Sequence, residues 1–136
     1  MIKNKEIVLE DNSGRRFNAV LNMRVEQGKS LLTLSDNKSI TITASGNNFF
    51  ECFLTIRLEL EKVNWIALCQ GSMTNVYPSR MALQMSNGLK AYKLTLGKQA
   101  SLDDLVDIFE PADRNKITTV NDQKSYFNAW IKSLTT

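Results

Sequence analysis

Residues 15–26 read "RRFNAVLNMRVE". Phe17, Ala19, Leu21, Met23 and Val25 occupy the odd positions, with Arg16, Asn18, Asn22 and Arg24 between them. Side chains of an extended chain alternate between two faces, so a period of two that sorts apolar from polar predicts a half-buried strand. Upstream, "KEIVLE" (residues 5–10) reads as a shorter strand, and "DNSG" (11–14) between the two is a cluster of turn formers. Downstream, "SLLTLS" (30–35) and "SITITA" (39–44) are rich in β-branched residues and are split by Asp36-Asn37-Lys38, a second hairpin. Four strands in a row joined by short turns predict an antiparallel meander.

The period then changes. In "NNFFECFLTIRLELEKV" (47–63), Phe49, Phe53, Ile56, Leu60 and Val63 recur at steps of three and four, the spacing of an amphipathic helix. Asn48 is placed to cap it, with Glu51 at the third helical position. "WIALCQG" (65–71) reads as a buried strand, and Ser79 to Ser86 as a short helix with Pro78 in its first turn and Gly88 ending it. "LKAYKLTLG" (89–97) is a further strand, with Tyr92, Leu94 and Leu96 on one face. Ser101 and Asp104 form a capping box that predicts a short helix through Phe109, stopped by Pro111. Thr119 or Asn121 starts a last helix with the stripe Phe127, Trp130, Ile131 and Leu134. The order is not a regular βαβ alternation. It predicts an α+β fold, an antiparallel sheet of about six strands led by the four-strand meander and packed against helices, among them a long central and a C-terminal one. The 136 residues fit a single domain, 1–136.

Composition narrows the chemistry. The chain has no histidine, which removes the usual general base, the usual zinc ligand and the Ser-His and Cys-His nucleophile pairs. Cys52 and Cys69 lie in apolar segments and read as buried thiols, too few for a disulfide framework or a zinc site. No phosphate-cradling glycine loop is present. These absences predict no enzyme, no catalytic or metal-binding residues and no cofactor. The N-terminus lacks the apolar core of a secretory signal, and no run approaches the roughly 18 apolar residues of a membrane span. The expectation is a cytoplasmic protein with no membrane association.

Charge is unevenly spread. The net charge is +3, yet residues 101–113, "SLDDLVDIFEPAD", carry five acids and no base. Asp103, Asp104, Asp107 and Glu110 make this a candidate binding segment, set against the plain reading of a solvated helix end. Arg15, Arg16, Arg24 and Lys29 could share a strand–hairpin surface, but the basic residues are dispersed and no RNA-binding aromatic signature accompanies them, so nucleic acid is not the expected partner.

The least ordinary stretch is "NVYPSRMALQMSNGLKAYKL" (75–94). As a plain helix, turn and strand it would use Met81 and Met85, four apart, to fill a core. That reading leaves Tyr77-Pro78-Ser79-Arg80 unexplained, a rigid aromatic–proline entry followed by arginine. Tyr77 and Arg80 are residue types enriched in interface cores. This stretch, continued by "DLVDIFE" (104–110) and "QKSYFNAWIKSL" (123–134), resembles small bacterial immunity proteins encoded beside polymorphic toxins, such as Rhs effectors and contact-dependent growth inhibition toxins. The resemblance covers about Trp65 to Leu134 and not the N-terminal meander; its pattern has a small residue where this chain has Arg80. It implies stoichiometric neutralisation of a cognate toxin domain without catalysis or cofactor. An effector-adaptor or other protein-interaction module is the alternative, with a nucleic-acid-binding domain behind it.

Overall fold

A computed structural model describes residues 3–135. The chain forms two compact units, Met1–Leu68 and Cys69–Thr136. Its α+β class and its N-terminal meander agree with the sequence reading. Among the described residues the strands number eight in two sheets, of five and three, where about six in one sheet were expected.

In the first unit, β1 (Lys3–Glu10), β2 (Arg16–Glu26), β3 (Lys29–Ser35) and β4 (Thr41–Gly46) run as an antiparallel meander, and β5 (Ile66–Ala67) returns to pair with β1. The sheet order is β4-β3-β2-β1-β5. The alternation predicted for β2 holds: Ala19, Leu21 and Met23 are buried, joined by Ile7 and Leu9 of β1 and Leu32 and Leu34 of β3. Val25, at the end of β2, is exposed. Helix α1 (Phe49–Glu61) closes this face with Phe49, Phe50, Cys52, Phe53, Ile56 and Leu60. Asn48 caps α1, its side chain accepting from Glu51 N at 2.8 Å. Val63 is not part of the apolar stripe: the helix ends at Glu61, and Val63 is exposed beyond it.

Two carboxylates build the hairpin turns. Asp11 accepts from the backbone of Ser13 and Arg15. Asp36 accepts from the backbone N–H groups of Lys38, Ser39 and Ile40 at 2.9–3.0 Å. Desolvation pushes the Asp36 pKa up, but those N–H groups together with the Ser39 hydroxyl outweigh it and bring the group from 3.8 down to about 2.

In the second unit, β6 (Val76–Tyr77), β7 (Lys90–Lys93) and β8 (Leu105–Asp107) form an antiparallel sheet with β7 central. Helices α2 (Arg80–Ser86) and α3 (Val120–Ser133) complete it. Ser79 caps α2, so Pro78 precedes the cap and does not sit within the first turn. Asn87 ends α2 in the left-handed conformation at φ 53°, one residue before the glycine expected to do so. Thr119 caps α3 by accepting from Asp122 N.

Three local readings are corrected. "WIALCQG" is a named strand only at Ile66–Ala67, makes one isolated bridge from Cys69 to Pro111, and then enters a 3₁₀ turn at Gln70–Ser72. The strand after Gly88 stops at Lys93, and Leu96 is exposed. The Ser101–Asp104 capping box exists, but it caps a single 3₁₀ turn, Leu102–Asp104, and the chain then extends as β8 instead of continuing as helix to Phe109. The backbone of β7 offers these residues ladder hydrogen bonds that an isolated two-turn helix cannot match.

Candidate functional site

The acidic segment lies along one edge of the three-stranded sheet. Its Leu105, Val106 and Asp107 pair with Tyr92, Ala91 and Lys90 of β7. Asp103 is exposed in the preceding turn, and Glu110 is exposed beyond the strand. Asp107 faces Lys90 at 3.9 Å with both side chains about half exposed, a geometry worth little in water. Asp104 is engaged locally: its carboxylate accepts from both the backbone and the hydroxyl of Ser101. Asp103, Asp107 and Glu110 are therefore the carboxylates this edge presents to solvent.

The Tyr77–Arg80 entry occupies the opposite edge. Tyr77 in β6 pairs with Tyr92 in β7, which pairs in turn with Leu105 in β8. Two strand spacings, on the order of 10 Å, separate the two groups. The structure thus does not gather all six candidates into one cluster. Tyr77 is half-buried, its ring stacked on Phe127 with centroids 4.2 Å apart, and the Lys124 ammonium lies 5.2 Å from the Tyr77 centroid. It packs around the buried cluster of Ala82, Tyr92 and Leu94, together with Leu105, Tyr126, Phe127 and Trp130. Arg80, at the start of α2, is exposed.

Met81 and Met85 do not fill the core. They are 57% and 60% exposed, and the residue α2 buries is Ala82. Their spacing puts them on one face, as read, but the capped entry at Ser79 turns that face outward. The four basic residues that could have shared a surface, Arg15, Arg16, Arg24 and Lys29, fall at or near opposite ends of β2 and are each engaged. Arg15 and Arg16 pair with Asp11 and Glu10. Arg24 pairs with Glu26, and Lys29 donates to Asn47.

Both cysteines are buried, and neither forms a disulfide. Cys52 donates to Ser30 O at 3.3 Å, and desolvation, with Glu51 nearby, pushes its pKa up to about 11. A thiol so placed stays protonated at neutral pH and is a poor nucleophile. Among the described residues no group of three or more His, Cys, Asp or Glu side chains is positioned to hold a metal ion. No described helix is long and apolar enough to cross a membrane.

Sequence reading missed Gln123. Lying between the expected cap and the aromatic stripe, it is fully buried, and its amide nitrogen donates to the carbonyls of Gly71, Met73 and Val76 at 2.8, 2.9 and 2.9 Å. Three facing carbonyls require the NH₂ end of the amide there. A lone Gln in the first turns of a helix otherwise reads as solvated.

No protein-family model matches the chain, and no curated protein shows significant sequence similarity to it.

Proposed function

We propose that this chain is an immunity-type protein that binds a cognate bacterial toxin domain one-to-one in the cytoplasm and blocks it without catalysis. The observation that supports this reading is the acidic edge. Asp103, Asp107 and Glu110 are solvent-facing along one short ribbon of a chain whose net charge is +3. Asp107 lies on β8, which is hydrogen-bonded to β7, with Asp103 in the turn just before that strand and Glu110 just after it, so the three keep a defined spacing, which is what a complementary basic surface needs for register and fast encounter. The resemblance of residues 65–134 to immunity proteins points the same way. In this reading Arg80 is a peripheral contact, and Tyr77 stiffens the sheet beneath the interface.

The test is co-expression with the product of the gene directly upstream, scored for survival and for co-purification. The expected result is rescue of growth together with a stable one-to-one complex. A neighbour that is not toxic, or whose toxicity this protein leaves unchanged, would sink the immunity reading. An adaptor role would then take its place, supported by the same exposed edge.

A further inference from the structure

β4 is an open edge. It pairs with β3 on one side, and among the described residues no strand lies on the other. Its six residues, Thr-Ile-Thr-Ala-Ser-Gly, include no charge and no proline. Edge strands commonly carry such blocks, because a row of free N–H and C=O groups templates pairing with another chain. The other edge strands of the two sheets are much shorter: β5 and β6 have two residues each and β8 has three.

The register shows which backbone groups are free. Asp36 N donates to Ile40 O at 3.3 Å, which makes that pair a hydrogen-bonded one. Antiparallel ladders alternate bonded and non-bonded pairs, so Leu34–Ile42, Leu32–Ala44 and Ser30–Gly46 carry the bonds between β3 and β4. Thr41, Thr43 and Ser45 fall on the alternate pairs. Their N–H and C=O groups point away from β3, and all three residues are exposed.

We infer that β4 pairs antiparallel with β4 of a second copy of this chain, about a two-fold axis at Thr43. Pairing through the outward groups requires residues 41, 43 and 45 to face one another. Setting Thr43 opposite Thr43 does this, with Thr41 opposite Ser45 on either side. Each of these pairs exchanges two hydrogen bonds, so the strand's outward donors and acceptors are all used. On the outer face hydroxyl side chains meet hydroxyl side chains, a favourable cross-strand combination, and on the other face Ile42 meets Ala44. The strand brings no like charges together. Such self-matching is the signature of an isologous interface, and it selects a second copy over a strand of unrelated sequence. The inference stands apart from the toxin-binding reading, which uses the other unit.

Sedimentation velocity on the full chain, from low to high micromolar concentration, tests it. The wild type is expected to move from one chain mass to two as concentration rises. Thr43→Pro deletes an outward N–H and leaves the β3 ladder intact, so it should remain at one chain mass with an unchanged circular dichroism spectrum. Should that variant fail to fold, Thr43→Lys and Thr43→Glu serve instead. Each alone should be monomeric, and an equimolar mixture should recover the dimer because the two positions face each other. A wild type monomeric throughout, whether or not another protein adds a strand at β4, overturns the inference. So does an undiminished dimer in folded Thr43→Pro, or a Lys/Glu mixture no more associated than its components.

Discussion

Gln123 shows how much one side chain can organise. Its amide serves three carbonyls from residues 71–76, a segment with little regular structure of its own. Gln123→Leu keeps the approximate volume but removes the side-chain donor from those buried carbonyls, and we predict a loss of about 2–4 kcal/mol in chemical denaturation. Gln123→Glu should be worse at pH 7 than at pH 4, since only the protonated acid can donate to a carbonyl; equal stability at both pH values would refute this orientation of the side chain. Asp36 supplies the opposite pH dependence. Its folded pKa, about 2, lies below the ordinary 3.8, so the charged form is favoured in the folded state. That contribution is fully present above about pH 4 and is lost as pH falls toward 2. Asp36→Ala should cost about 1–2 kcal/mol at pH 6, reduced for the partial solvation of the turn, and the gap to wild type should narrow at pH 2. Urea melts at the two pH values measure it. The two differ in legibility: Asp36 was readable as a turn residue, whereas the burial of Gln123 depends on a loop some fifty positions away.

At the scale of elements, helix α3 was legible in its start and its aromatic stripe but not in its depth. Phe127 and Trp130 are half-buried and Ile131 is 43% exposed. Trp130 still anchors the helix, stacking near Phe127 and donating its indole N–H to Lys98 O at 2.8 Å. Trp130→Ala should cost about 2–4 kcal/mol, less than full burial would imply, and Trp130→Phe about 1 kcal/mol for the lost hydrogen bond. Denaturant midpoints for the pair separate packing from hydrogen bonding, and equal losses in both variants would contradict this division. Tyr77→Ala removes the stack on Phe127 and should lower stability by at least about 1 kcal/mol. Any faster dissociation of a partner complex in that variant must therefore be compared with its melting behaviour. The segment 101–110 went the other way: its capping box is local and was readable, but its extended continuation is set by pairing with β7, which no neighbouring residue announces.

For the whole molecule, the proposed binding reading makes a kinetic prediction. Reversing Asp103 and Asp107 to lysine should slow association with the toxin partner, and added salt should shrink the difference, because surface charges steer encounter through a screened field. Stopped-flow or surface-based association rates at two ionic strengths measure it; an unchanged on-rate would move the interface away from this edge. The candidate site was legible as a list of acidic and aromatic residues, but not as an arrangement. The structure sets Tyr77 and the carboxylates on opposite edges of one small sheet. The α+β class, the meander and the caps of α1 and α3 follow from the order of residues, because alternation, helical spacing and capping are interactions between positions a few residues apart. Which faces are buried, that the strands divide into two sheets, and which edge is left open depend on distant segments meeting. A short run such as 65–71 or 101–110 carries too few local interactions to choose its own conformation, and the backbone hydrogen bonds and apolar contacts offered by its neighbours choose it instead.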